Sequence, residues 1–432
     1  MAANLGASAL ADVHQESLDQ ILHELVSISP DQQQPLGVPV LDSLLEVFTS
    51  RPSRVSAGAQ GQSGQASDAS LPGDRGMLLQ AVNETRTPIQ LPPVHGDSNS
   101  EARVSRGTKR PDTILEISSS LSAAGKSHLL YYLTALAILP STYGDLPIGG
   151  RDAAVVFIDT DGRFDADRLR TVARELVRQR VPLDADNRLL PEDLEMLLVS
   201  SIQHVHVFRP QSSSSLLATI CALDTYLFDL SRHRSASRSL QMIAIDSVTA
   251  FFWQDRLREE ASRTETIGRP QKEIDSLRES KQLFYLSDLY VELAKELKQL
   301  QGRFGCAIVY TATIPGGRPA NANDASGPFE QHTSRRPSLR PALPAPWGTF
   351  PALRLIVYRS QVRPFPPGIN TQDAEREAPL RQSVVDQGTF CACVNAWGSE
   401  EWPRRVVDGI AARKGGRFAF SVRETGVEIP LS

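Results

Sequence analysis

Residues 113–139 run TILEISSSLSAAGKSHLLYYLTALAIL, and the fold turns on how this stretch divides. Thr113 to Ile117 predicts a β-strand, the small residues after it predict a tight loop, and Gly125-Lys126-Ser127 opens an apolar helix. That order is the mechanical requirement of a P-loop: a strand delivers the chain, a loop turns its N–H groups inward, and a helix N-terminus faces phosphates. Lys126 is expected to reach the β- and γ-phosphates and the Ser127 hydroxyl to ligate Mg²⁺. The eight-residue pattern asks for Gly first, where Ser120 stands, and Ala123 and Ala124 fill its middle. A non-glycine residue forced to positive φ there costs about 1–2 kcal/mol. The binding set is thus Ser120, Gly125, Lys126 and Ser127. The plain alternative is a chance helix start, against which stand the strand before it and the helix after it.

The chain has 432 residues, enough for one large α/β domain or two smaller ones. A net charge of −4 argues against a free-standing nucleic-acid binder that relies on bulk positive charge, and leaves local basic loops open. Cys221, Cys306, Cys391 and Cys393 have no partner pair at zinc-finger spacing, so buried thiols in a reducing compartment are expected. The first residues carry no basic and apolar signal pattern, and no apolar run is long enough for a bilayer, so an intracellular protein without a membrane partner is expected. Lys109-Arg110-Pro111 with Arg103 and Arg106 is either a weak nuclear address or a solvated linker.

Residues 9–28 have apolar positions at helical spacing, and Gly37 to Leu45 predicts a short helix. From 51 to 110 the composition shifts to Gly, Ser, Gln, Pro and Ala, which predicts a disordered linker or insertion with one apolar patch at Met77–Val82. Strands are then expected at 153–158, 205–208, 241–245 and 306–310, alternating with helices at 165–180, 213–232 and 281–301. Residues 315–346 predict a long mobile loop, and 352–358, 389–394 and 417–423 predict antiparallel strands. The expected organisation is a helical segment at 1–50 leading into the core, the linker at 51–110, and an α/β P-loop core at 111–432.

Ligands of open parallel sheets lie at the carboxyl ends of the strands. The P-loop, Asp159-Thr160-Asp161 and Asp246-Ser247 all fall there. Four apolar residues ending in Asp246 suit a carboxylate that meets the Mg²⁺ shell beside Ser127, and Asp161 is the candidate to orient or deprotonate an attacking water. Each Asp alone is as well explained as a helix cap or turn residue. Three in this order are not.

The order of Gly37…Leu41-Asp42-x-Leu44-Leu45, Ile114-Leu115-Glu116-Ile117 and Gly125-Lys126-Ser127 resembles the entry to a RecA-type recombinase core. So do Phe157-Ile-Asp159-Thr-Asp161-x-x-Phe164-Asp-x-x-Arg168-Leu169 and Ile243-Ala-Ile-Asp246-Ser247-Val-Thr-Ala250. Within that superfamily the chain resembles the eukaryotic recombinase paralogues, through Tyr131-Tyr-Leu-Thr134-Ala, Ile138-Leu139-Pro140, Ala250-Phe-Phe-Trp253-x-Asp255-Arg256 and Arg423-Glu424-Thr425-Gly426-Val427-Glu428. The likeness covers roughly 111–310 and the last strands.

The resemblance implies a RecA-like core, ATP and Mg²⁺ as cofactors, a nuclear location, and homologous recombination in the repair of double-strand breaks. It implies a helper that assembles with other recombinase paralogues on single-stranded or branched DNA. It places two DNA-facing loops at about 254–281 and at 315–346; the first has balanced charge and is equally well read as a partner surface or a solvated loop, and the second carries Arg318, Arg335, Arg336 and Arg340 as phosphate contacts. Three departures bear on catalysis. The family's Glu is replaced by the shorter Asp161, its Gln after the fourth strand is missing from Thr311-Ala312-Thr313, and no Phe-x-x-Ala segment occurs in the N-terminal part. These favour an interaction subunit with weak or absent hydrolysis. A DNA-stimulated ATPase and a P-loop protein outside recombination are the alternatives.

Overall fold

The computed structural model describes residues 36–49, 113–181, 190–280, 283–314, 337–345, 347–360 and 365–430. The chain forms two units, 1–50 with 111–432 and 51–110; the second falls wholly outside the described residues. So do the expectations for 9–28, for 51–110 and for Arg318, Arg335 and Arg336.

The stretch that opens the analysis folds as strand β1 (Ile114–Ser119), a loop, and helix α2 (Lys126–Ile138), preceded by α1 (Pro39–Thr49). A small hairpin, β2 (Thr142–Tyr143) and β3 (Leu146–Pro147), leads to β4 (Ala154–Asp159), α3 (Ala166–Arg180), α4 (Pro191–Ile202), β5 (Val205–Phe208) and α5 (Ser213–Phe228). Then come β6 (Leu240–Asp246), α6 (Phe252–Glu265), α7 (Gln271–Glu279), α8 (Leu286–Phe304), β7 (Ala307–Thr313) and β8 (Leu353–Arg359). The chain closes with α9 (Thr371–Asp386), β9 (Thr389–Val394), α10 (Arg404–Ala412), β10 (Arg417–Val422) and β11 (Val427–Glu428).

The main sheet has the order β11-β10-β9-β8-β1-β7-β6-β4-β5. Strands β8, β1, β7, β6, β4 and β5 are parallel, and β9, β10 and β11 continue the sheet antiparallel beyond β8. Alternation divides the core in two, because successive strand side chains leave opposite faces. Leu115, Ile117, Val155, Phe157, Met242, Ala244 and Val309 face α1, α2, α3, α4 and α10. Ile114, Val156, Ile158, Ile243, Ile245, Ile308 and Tyr310 face α5 and α8. Strands covered on both faces must be apolar throughout, which is why β4 and β6 lack a polar alternation.

Four expectations need correction. Strand β8 pairs parallel with β1, from Leu115↔Leu353 to Ser118↔Ile356, and antiparallel only with β9. Apolar character does not encode strand direction. The expected loop at 254–281 is mostly two helices, α6 and α7; in α6 charged residues pair at i,i+4 spacing, as in Arg256–Glu260 and Glu259–Arg263, and support the helix without an apolar stripe. The helix placed at 281–301 starts at Leu286 and runs to Phe304, where Gly305 at φ 63° ends it. Within 315–346, the described part 337–345 is pinned, since Asn395 Oδ1 accepts from Leu339 N at 3.0 Å and Asn395 Nδ2 donates to Leu339 O at 2.8 Å.

Candidate nucleotide site

All parallel strands deliver their carboxyl ends to one edge, so the loops after β1, β4 and β6 gather there. Ser120 to Ala124 cross from β1 to α2. Ala123 has φ 56° and Gly125 φ 93°, so both take the left-handed conformation that turns backbone N–H groups into a concave loop. Gly125 is needed twice over: a Cβ would also come within 2.8 Å of Phe390 Cδ1 and 3.1 Å of Phe420 Cζ. Those rings stack at 5.4 Å, so the loop rests on β9 and β10 of the antiparallel extension.

Lys126 is the first residue of α2 and only 8 % exposed. Its ammonium donates to Ser119 Oγ at 2.6 Å and to the Leu121 carbonyl at 3.4 Å. Burial pulls its pKa down, while the Asp246 and Asp161 carboxylates pull it back up. Lys126, Asp161 and Asp246 are therefore brought together electrostatically, although 120 residues separate the first from the last. Ser127 follows on the first turn of α2, where the helix dipole favours negative charge.

Asp246 ends β6 and accepts a short hydrogen bond from Thr311 Oγ at 2.5 Å. The Asp246–Ser247 peptide is cis. Thr160 ties this turn to β4: its N–H donates to Asp246 O at 2.8 Å, its hydroxyl donates to Ser247 O at 2.6 Å, and it accepts from Ser247 N at 2.8 Å. The two aspartates at the carboxyl end of β4 divide their roles. Asp159 is 1 % exposed and accepts from Arg163 N, Phe164 N and Arg209 Nε at 3.0, 2.8 and 3.2 Å, so it builds the loop. Asp161 is exposed, and its carboxyl is pushed up by partial desolvation and by repulsion from Asp246, against the pull of Arg163.

The donor set fits a magnesium-bound triphosphate: an ammonium, a hydroxyl, two carboxylates and a helix N-terminus around a loop of left-handed residues. Ser120 lies on the loop, while Arg340 is exposed elsewhere, with its guanidinium 5.9 Å from the Trp397 ring centre. Sequence reasoning missed Ser119, Thr311 and Thr160, which hold Lys126 and Asp246. It also missed Phe390 and Phe420. The three hydroxyls adjoin motif residues in sequence or register; nothing local marks the two rings.

No protein-family model matches the chain. It is 24 % identical over 309 residues to "DNA repair protein XRCC2 homolog" of Arabidopsis thaliana, covering 66 % of this chain and 76 % of the relative. It is 32 % identical over 133 residues to "DNA repair protein XRCC2" of Mus musculus, covering 31 % and 39 %. To "DNA repair protein RAD51 homolog 3" of Cricetulus griseus it is 23 % identical over 280 residues, covering 64 % and 62 %. The chain thus spans less than two thirds of the mouse and hamster relatives.

Proposed function

We propose, from its likeness to XRCC2 proteins and RAD51 homologues and its RecA-like fold, that this chain acts in the repair of DNA by homologous recombination. It is a recombinase paralogue working as an interaction subunit in the nucleus, assembling with other paralogues on single-stranded or branched DNA. Its core is the RecA-like unit at 111–432, entered from a helical segment at 1–50 through the linker or insertion at 51–110. The site takes Mg²⁺ and ATP, with Ser120, Gly125, Lys126 and Ser127 around the phosphates and Ser127 and Asp246 toward the metal. Arg318, Arg335, Arg336 and Arg340 are the DNA contacts.

The observation that carries the nucleotide part is the convergence of Lys126, Asp161 and Asp246 at a loop bent by Ala123 and Gly125. Turnover is weak or absent. Asp161 is one methylene shorter than the family's Glu, and a general base loses effectiveness when its reach to the water is wrong. Thr313 offers no side-chain amide, and its N–H is taken by Thr249 Oγ at 2.9 Å. The test is co-purification with recombinase paralogues for the native chain and for Lys126→Ala. Assembly is expected to survive the substitution while nucleotide binding is lost. Loss of assembly in a folded Lys126→Ala protein would contradict a role that lies in the surfaces.

A further inference from the structure

Residues 229–239 join α5 to β6 at the amino edge of the sheet, opposite the P-loop, and read DLSRHRSASRS. Arg232 and Arg234 stand five and three residues before Ser237, and no other serine or threonine of the chain has arginine at both positions. An arginine-directed serine kinase reads this spacing, because acidic subsites of its cleft pair with guanidinium groups on the amino side of the acceptor hydroxyl.

Spacing alone does not select Ser237, since several other hydroxyls have arginine three residues before them. The structure separates them. Ser235 is 5 % exposed, and its hydroxyl lies between His204 Nδ1 at 2.9 Å and His206 Nε2 at 3.0 Å. The Thr171 hydroxyl donates to Asp167 O at 2.9 Å within α3, and Arg168 before it is engaged with the Glu424 and Arg423 carbonyls. Ser212 caps α5 by accepting from Ser215 N at 3.1 Å, and Arg209 before it is tied to Asp159.

Ser237 instead lies exposed in a turn, with Ala236, Arg232 and Arg234 exposed as well. What holds the two arginines is weak: Arg234 donates to Gln203 Oε1 at 3.0 Å, and Arg232 Nε lies 3.7 Å from Asp229 Oδ2. The turn itself is closed by the Arg238 N–H donating to Ser235 O at 3.1 Å. The product suits the same surface. Arg232, His233 and Arg234 line a cleft of about 400 Å³ beside β5 that has no carboxylate among its described walls. A phosphoserine carries about −1.5 to −2 charges and three acceptor oxygens, which arginines pair and carboxylates would repel.

We infer that Ser237 is a phosphorylation site for an arginine-directed serine kinase. The γ-phosphorus of ATP bonds to Ser237 Oγ as its bond to the β–γ bridging oxygen breaks. The hydroxyl proton passes to the kinase's catalytic carboxylate, and ADP leaves.

The test incubates the folded full-length chain with the catalytic domain of protein kinase B, Mg²⁺ and radiolabelled ATP, beside a blank without kinase. Mass spectrometry then maps the phosphate. The native chain is expected to take up close to one phosphate at Ser237, and none in the blank. Ser237→Ala removes that phosphate, whereas Ser239→Ala, exposed in the same loop, keeps it and controls for damage to the loop. Arg232→Gln and Arg234→Gln each slow incorporation at Ser237 about tenfold, the size of one lost charged hydrogen bond. Absence of phosphate at Ser237 of the native chain overturns the assignment. So does phosphate found only elsewhere, as at Ser338 after Arg335-Arg336-Pro337, or a rate at Ser237 that neither arginine variant changes.

Discussion

Arg168 on α3 grips the turn before β11 from across 256 residues: its Nη1 donates to the Glu424 carbonyl at 2.7 Å and its Nη2 to the Arg423 carbonyl at 2.8 Å. Two segments that the sequence presents separately, Asp165-x-x-Arg168 and Arg423 to Glu428, thereby form one contact that ties the antiparallel extension to the parallel core. A guanidinium suits this because its rigid fork presents parallel donors, which an ammonium does not. Arg168→Lys is expected to cost about 1–3 kcal/mol of stability. Urea unfolding of the two proteins measures this, and an unchanged midpoint would show that the fork contributes nothing.

The loop between β1 and α2 makes opposite predictions at two nearby positions. Ala123 at φ 56° carries left-handed strain of about 1–2 kcal/mol that glycine lacks, partly offset by glycine's greater freedom in the unfolded chain. Ala123→Gly is therefore expected to leave stability unchanged or raise it by up to about 1 kcal/mol, and to tighten nucleotide binding. Gly125→Ala meets both the φ of 93° and the Phe390 ring at 2.8 Å. It should abolish nucleotide binding and lower the melting temperature. Calorimetry and thermal scans of the pair check the contrast in sign.

Beneath the sheet centre, Glu116 Oε2 accepts from Tyr310 Oη at 3.0 Å and from Arg354 Nε at 3.2 Å. Burial raises the Glu116 pKa, and the Arg354 guanidinium opposes that rise. Arg354→Ala leaves a buried carboxylate without its cation and is expected to cost about 3–5 kcal/mol. Glu116→Gln keeps the shape and removes the charge, and is expected to cost less. A larger loss for Glu116→Gln than for Arg354→Ala, read from denaturant midpoints, would contradict this ordering.

The fold was legible where burial on both faces leaves a mark. Strands β4, β5, β6 and β7 announce themselves as short runs dominated by apolar residues, and β1 with α2 by the Gly125-Lys126-Ser127 boundary. What stayed hidden was encoded in partners distant along the chain. The parallel direction of β8 depends on its pairing with β1, and α9, with no buried residue, shows no apolar stripe to read. Within the site, Lys126 and Asp246 stand out by motif. Thr311 does not, because a threonine in a strand is ordinary and only its register beside β6 brings its hydroxyl to Asp246.

A histidine cluster on the outer strand predicts acid sensitivity. His206 on β5 pairs its ring nitrogens with Tyr226 Oη and Ser235 Oγ, each at 3.0 Å, and the His233 ring lies 5.0 Å away. Burial first, then the neighbouring His233 and His204, push its pKa down to about 4. The unfolded chain takes up this proton near pH 6.5 and the folded chain only near 4, so stability falls as pH drops through that window. The loss from this residue is on the order of 2–4 kcal/mol. Thermal midpoints from pH 7 to 4 should fall more steeply for the native chain than for His206→Gln; parallel slopes would exclude His206 as the source.

The most direct test of the account is a Mg²⁺-dependent ATP titration of the purified chain with Lys126→Ala beside it. The account predicts saturable binding by the native chain, its loss in Lys126→Ala and on chelation of Mg²⁺, and little turnover with or without single-stranded DNA. Absence of binding by a folded native chain, or equal binding by Lys126→Ala, would contradict the assignment of Lys126, Ser127 and Asp246 as a nucleotide site.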